Sequence, residues 1–248
     1  MITQITNLVF LQFPSNEIVK KMNKKNQNSQ NFHVTPNSYK CSITTDIAVF
    51  GYRDHNLKLL LTKREVGLFN DHWLLPGGVL EVNETLEECT NKILYAYTGL
   101  KNIHAEQVKV YADIARHPVD RVITISFFAL VKPENHPLTI RDGIEQVNWF
   151  NIDEIPENLG FDHAQIIEDA HVFLKNNLND SLIIKELLPQ KFTLSELQKL
   201  YEDILGIKLD KRNFRKRILQ AGVLKNTGML KPGVKGGPVL YESLDKNE

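Results

Sequence analysis

The segment Asp210-Lys-Arg-Asn-Phe-Arg-Lys-Arg217 holds five basic residues and one acid. On a helix, Lys211, Arg212, Arg215 and Lys216 fall at i, i+1, i+4 and i+5 and form one stripe, opposite the apolar Phe214 and Ile218. Such a stripe suits duplex DNA: residues near the helix start, here including Asn213, reach base edges while others grip phosphates. Two further cations, Lys231 and Lys235, lie in the Gly-rich stretch Gly228-Met-Leu-Lys-Pro-Gly-Val-Lys-Gly-Gly237. A charged run is as often a plain solvated face. A helix pair that binds an acidic protein partner is therefore the competing reading.

The surrounding elements favour DNA. Thr193-Leu-Ser-Glu196 is a capping box, and Leu194, Leu197, Tyr201, Ile204 and Leu205 follow at helical spacing until Gly206 stops them. Asp210 N-caps the basic helix, which ends at Gly222, and Ile207-Lys-Leu209 is the short connection of a helix-turn-helix. Val223-Leu-Lys-Asn226 and Pro238-Val-Leu-Tyr241 flank the Gly-rich stretch as a hairpin wing carrying Lys231 and Lys235. Upstream, apolar runs at 43–50, 57–61, 108–114, 122–131 and 146–150 predict strands, and 85–98 and 162–178 predict helices.

The 248 residues are 42% hydrophobic and 24% charged, and 30 Lys+Arg cancel 30 Asp+Glu. That composition is globular and excludes disorder across the whole chain. The cancellation conceals a division. Residues 185–241 hold twelve Lys or Arg against five Asp or Glu, a balance of +7; the last seven residues carry −2, which leaves −5 for residues 1–184. The expected organisation is a leader over 1–40, rich in Asn, Lys, Gln and Ser from residue 14, a mixed domain over 41–180 and a basic domain over 185–242, the two domains being long enough for each to be able to bury its own core. Cys41 and Cys89 are too few for a disulfide framework, so a reducing, cytoplasmic setting is expected. The apolar stretch Leu8-Val-Phe-Leu-Gln-Phe13 is far short of the roughly 20 residues that cross a bilayer. No membrane association is expected.

Gly77-Gly-Val-Leu-Glu-Val-Asn-Glu84, continued at helical spacing by Leu86 and Ile93 to Gly99-Leu100, resembles the Nudix box. Trp73-Leu-Leu-Pro-Gly-Gly78 resembles the family's approach to its loop and helix. With the pattern set on Gly78, its first Glu falls on Glu84 and its last Gly on Gly99. Its Arg-Glu pair falls on Lys92-Ile93 and its Glu-Glu pair on Ala96-Tyr97. Diphosphate hydrolysis in that family needs Mg²⁺ held by carboxylates on one helix face. Positions 93, 96 and 97 form such a face, and here it is Ile, Ala and Tyr; Glu87 and Glu88 point away from it. No metal, no cofactor and no catalytic residue is therefore expected.

A degenerate box followed by a winged helix resembles the Nudix-related transcriptional regulators of the NrtR family. Arg116-His-Pro-Val-Asp-Arg121 before the strand 122–130, Phe161-Asp-His163 opening a helix, and Phe192-Thr-Leu-Ser-Glu-Leu-Gln also carry the likeness. It implies a Nudix-like α/β/α sandwich with a mixed sheet, an α+β chain overall, followed by a C-terminal winged helix-turn-helix. It also implies a homodimer on operator DNA and a small-molecule effector. ADP-ribose linked to NAD metabolism is one such effector; a pentose or sugar phosphate linked to sugar catabolism, as in an arabinose-responsive branch, is another. Arg64, Glu81, Glu84, Asp113, Arg116, Arg121 and His163 are the candidate ligand groups, since arginine forks suit phosphate oxygens and carboxylates accept from sugar hydroxyls. The plainer alternative pairs Arg116 and Arg121 with Asp113 and Asp120 and makes His163 a helix-start packing residue. The rival function is a Nudix hydrolase of ADP-ribose or a related nucleoside diphosphate.

Overall fold

The run Ile47-Ala-Val-Phe50 is wholly buried, as a strand must be when both faces of its sheet are covered. In the computed structural model, which describes residues 41–99, 103–133, 138, 143–178, 181–233 and 236–244, it lies within β1 (Ser42–Arg53). The expected leader and Lys235 fall outside the described residues. β1 turns through Asp54 and His55, both left-handed at φ 54° and 59°, into the antiparallel β2 (Asn56–Arg64). Two positive φ values in a two-residue loop are the geometry that matches strand twist. β1 also pairs in parallel with β5 (Val122–Val131), from Ser42 opposite Val122 to Gly51 opposite Val131. β4 (Ala105–Tyr111) flanks β5, β6 (Ile144–Asn151) flanks β2, and the three residues of β3 (Gly77–Val79) pair with the first half of β1. The sheet order is β4-β5-β1-β2-β6, and the sheet is mixed.

Alternation along these strands makes two cores. Ile47, Val49, Leu60, Phe127, Ala129 and Val131 pack with Cys89, Ile93, Leu94 and Tyr97 of α1 (Leu86–Thr98), which is closed by a Thr85–Glu88 capping box and by Gly99 at φ 73°. Ala48, Phe50, Leu59, Leu61, Phe128 and Leu130 face the other way, onto Ile166, Ile167, Ala170 and Leu174 of α2 (His163–Asn176). This is the expected α/β/α sandwich.

The second core does not end at the sandwich. It runs through Ile183, Ile184 and Leu187 of α3 (Ser181–Leu187) into Leu197, Leu200 and Ile204 of α4 (Leu194–Leu205) and Phe214 and Ile218 of α5 (Lys211–Gln220). Both halves thus share one apolar body. α4 has the expected Thr193–Glu196 capping box, and the Asp210 carboxylate caps α5 by accepting the Asn213 N–H at 2.8 Å. The wing is β8 (Leu224–Leu230) paired with β9 (Val239–Ser243), and β7 (Phe192–Thr193) adds a third strand that the sequence pattern does not announce. β3 and α3 are likewise too short to show a period. The strand expected at 108–114 forms three residues earlier, because Arg121 donates to the carbonyl oxygens of Ala112 and Asp113, both at 2.9 Å, and holds them in a loop. No helix among the described residues is long and apolar enough to cross a membrane.

Polar bonds fasten the seam. Tyr52 Oη donates to Asp203 Oδ2 at 2.7 Å, and Asp203 also accepts from Lys199. His171 Nε2 lies 3.0 Å from the Ile204 carbonyl, and Tyr201 Oη donates to the Leu178 carbonyl at 2.6 Å. Burial, then the bond to Asp203, pushes the Tyr52 hydroxyl well above its ordinary pKa, so it stays a donor at any physiological pH. Tyr52→Phe removes a bond to a charged acceptor and is expected to cost about 1.5–3 kcal/mol in urea unfolding, while Asp203→Ala added to it costs little more.

Candidate functional site

A cavity of about 200 Å³ opens where the first half of β1 meets the loop between β4 and β5 and the start of α2. Its floor carries the Thr44 and Thr124 hydroxyls, 2.5 Å apart across the parallel β1–β5 register, and the Asp46 carboxylate two residues further along. Arg64 at the end of β2, Gly78 and Val79 of β3, and Arg116, His117 and Asp120 of the β4–β5 loop form the walls. Phe161 and His163 enter from the start of α2.

Arg116 is fixed by charge. Its side chain, 4% exposed, donates Nε and Nη2 to the two oxygens of Asp162 at 2.9 and 2.7 Å, a bidentate fork across to the residue that precedes α2. His163, 3% exposed, accepts the Leu75 N–H at Nδ1 (2.9 Å) and turns Nε2 toward Asp46 Oδ2 at 3.6 Å. Arg64 is half-buried and has no carboxylate partner among the described residues. Beside them, Phe69 and Phe161 both hold left-handed backbones, φ 59° and 53°, with their rings edge-on at 4.6 Å and His117 stacked on Phe161 at 5.3 Å and 11°. Such backbone geometry costs about 1–3 kcal/mol per residue and collects at binding sites. Gly160 makes the close approach possible, since a Cβ there would stand 2.5 Å from Leu74 and 2.9 Å from Phe69.

Of the expected ligand groups, Arg64, Arg116 and His163 line the cavity together; Glu81, Glu84, Asp113 and Arg121 are not among its lining residues. Asp113 accepts the Ala115 N–H at 2.8 Å, and with Arg121 it shapes the loop that presents Arg116 and His117. Arg116 pairs with Asp162 rather than Asp113, a contact 46 residues away that no local pattern reveals. Asp46, Thr44, Thr124, His117 and Phe161 are the lining residues that sequence reasoning passes over. A single acid inside the run 43–50 is the one available signal.

The Nudix-like loop and helix keep their frame without a metal face. Glu84 accepts Lys92 Nζ at 2.7 and 2.9 Å and the Glu81 N–H at 2.7 Å. The Lys92 ammonium, then the Glu81 N–H, hold its carboxyl below the usual range. Glu88 closes the cap of α1, while Ile93 and Tyr97 are buried in the core beside half-buried Ala96. These residues do not fit Mg²⁺: one carboxylate is already paired, and the neighbouring positions offer no oxygen ligand on that face.

On the basic helix, Lys211, Arg212, Asn213, Lys216 and also Arg217 are exposed over buried Phe214 and Ile218. Arg215 is half-buried and donates Nη2 to Ser195 Oγ at 3.3 Å, so part of the expected stripe braces α5 against α4. Lys231 of the wing pairs with Glu196 at 2.7 Å. Burial opposes the Glu196 charge, but Lys231 and the Thr193 donors outweigh it and keep the carboxyl below its ordinary pKa.

The fold and both sites define a Nudix-type body joined to a winged-helix DNA-binding module. The NUDIX domain family matches residues 43–170, and the NrtR DNA-binding winged helix domain matches residues 184–242. The ADPR responsive transcriptional repressor NtrR of Acinetobacter baylyi is 32% identical over 202 residues, 80% of each chain. Shewanella oneidensis NrtR, solved in complex with a 27mer DNA, matches with a TM-score of 0.67 and 29% identity over 82% of this chain and 93% of that one. The ADP-ribose pyrophosphatase of Methanocaldococcus jannaschii is 31% identical over 131 residues, 53% of this chain and 76% of its own. The chain belongs to the NrtR family of DNA-binding, Nudix-related transcriptional repressors.

Arg116→Ala strands the Asp162 carboxylate, which is one quarter exposed, and is expected to lower stability by about 2–3 kcal/mol in denaturant titration, somewhat below the cost of breaking a fully buried pair. Arg116→Ala with Asp162→Ala regains part of that loss.

Proposed function

We propose that this chain is a homodimeric repressor whose Nudix body senses ADP-ribose and no longer hydrolyses it. The observation that carries this reading is a cavity with arginine and imidazole groups beside a box helix whose metal-facing positions are Ile93, Ala96 and Tyr97. Both the repressor relative and the pyrophosphatase relative are named for ADP-ribose, which supports that effector. Arg64 is the group available to phosphate oxygens, because Arg116 is already committed to Asp162.

Helix α2 supplies the coupling. Its first residue, His163, lines the cavity, and about two turns later His171 contacts the Ile204 carbonyl of α4. A ligand that engages His163 and Arg116 acts on the residues that fix this helix, and α2 shares its core with the DNA-reading half. Binding would shift the population between DNA-competent and DNA-incompetent dimers. On DNA, two basic helices related by a two-fold axis would read half-sites about one helical turn, roughly 34–36 Å, apart.

One observation favours a second effector reading. The cavity of about 200 Å³ is below the roughly 300–1,000 Å³ usual for whole drug-sized ligands, and suits a pentose phosphate or one end of ADP-ribose.

Retention of an operator-length duplex from upstream of the protein's own gene should fall by about 0.9 log units per phosphate contact for each log unit of salt. Arg212→Ala with Lys216→Ala should lower that slope by about two and leave ligand-induced thermal stabilisation intact. ADP-ribose at 100 times its Kd should raise native stability by about 2.7 kcal/mol and weaken DNA retention. Release of AMP from ADP-ribose and Mg²⁺, abolished by Glu84→Gln, would instead make the body an enzyme.

A further inference from the structure

Asp46 is 8% exposed, yet no described residue donates a hydrogen bond to its carboxylate. His163 faces it, with Nε2 3.6 Å from Oδ2, longer than a hydrogen bond. The carboxylate keeps some exposure toward the cavity it lines, so a donor that enters the cavity can reach its open oxygens. Two features shape its surroundings. Asp46 stands opposite Gly77 in the β1–β3 register, and a Cβ on Gly77 would lie 2.0 Å from Asp46 Oδ1, so only glycine leaves room for the carboxylate. The Leu75 N–H occupies His163 Nδ1, which places the proton of the neutral imidazole on Nε2, on the Asp46 side. Beyond these, Thr44, two residues back and therefore on the same face of β1, bonds its hydroxyl to that of Thr124.

We infer that Asp46 is the sugar-reading residue of this cavity, its carboxylate accepting hydrogen bonds from the vicinal hydroxyls of a ribosyl group whose phosphate faces Arg64. This rests on the reading above that the cavity receives a ribosyl phosphate. His163 is a positioning residue: the bond from Leu75 orients its ring, which walls the cavity with Nε2 facing the carboxylate. Two adjacent hydroxyls suit the two oxygens of one carboxylate, whereas a phosphate or carboxylate in their place meets like charge. Asp46 therefore selects a free pentose diol, and Arg64, on β2 beside it, selects the anionic end.

The test uses the full chain and isothermal titration with ADP-ribose, ADP, ribose 5-phosphate and 2-deoxyribose 5-phosphate. In the wild type the deoxy sugar should bind about ten- to a hundredfold more weakly than ribose 5-phosphate, the effect of a hydrogen bond to a charged group. Asp46→Asn keeps the shape and replaces one acceptor oxygen by a donor. It should weaken ADP-ribose by a similar factor, leave the affinity for ADP, which lacks the second ribose, within about twofold, and remove most of the discrimination against the deoxy sugar. Equal wild-type affinity for the two sugar phosphates, or unchanged ADP-ribose binding by Asp46→Asn, overturns the inference and leaves the proposed effector class standing. No binding of ADP-ribose or ribose 5-phosphate to the wild type overturns that reading itself. Should Asp46→Asn not fold, the wild-type comparison of the two sugar phosphates decides alone.

Discussion

The seam between α2 and α4 is the constraint on which the rest of the molecule depends. One face of the sheet contributes Phe50, Leu59 and Phe128, α2 contributes Ile166, Ala170 and Leu174, and α4 contributes Leu197, Leu200 and Ile204, all in one apolar cluster. Close-packed interiors do not deform continuously, so a movement of α2 must be met by its neighbours or resisted by them. Hydrogen bonds from Tyr52 to Asp203 and from Tyr201 to Leu178 fix the register of that packing. The basic helix α5 rests on the same cluster through Phe214 and Ile218 and is not a separately hinged attachment.

The opposite face of the sheet is covered by α1, the helix of the Nudix-like motif. A carboxylate-bearing helix face must stay wet to hold ions, but α1 turns Ile93 and Tyr97 inward with Cys89 and Leu94. Burial raises the Tyr97 hydroxyl above its ordinary pKa, in keeping with a core position. The loop before the helix survives because its geometry has another support. Lys92 occupies the position of the pattern's arginine and still reaches back to Glu84. The Lys92–Glu84 ion pair thus holds the loop in place, independently of what the helix face presents.

What was legible in the sequence was local. The capping box at Thr193, the Asp210 cap and the Gly206 stop are short-range hydrogen-bond patterns, and all three stand where residue type and spacing put them. The basic helix was legible as a stripe, but the bracing of Arg215 by Ser195 was not, since that bond depends on how two helices cross. The cavity was half legible: Arg64, Arg116 and His163 are conspicuous polar residues beside a motif. Asp46 and Thr44 sit at the head of a strand that runs on into the apolar Ile47-Ala-Val-Phe50, where a polar side chain reads as an exception to the period. Their meaning comes from β5, β3 and α2, which are distant in the chain and adjacent in space.

The division of charge becomes sharper in three dimensions. A balance of +7 over residues 185–241 suggests a broadly attractive surface, but several of those cations are already paired inside the module. Lys231 closes on Glu196, Lys199 on Asp203, Lys208 on Glu202 and Lys191 on Glu242. Each pair neutralises itself locally and falls off within a Debye length of about 8 Å at physiological salt. Among the described residues, the exposed cations of α5 with no carboxylate partner are Lys211, Arg212, Lys216 and Arg217. The attractive field is therefore narrower than the charge count implies. It includes the one helix whose opposite face, Phe214 and Ile218, is locked to the core, so these unpaired cations are held by the same apolar cluster that carries α2.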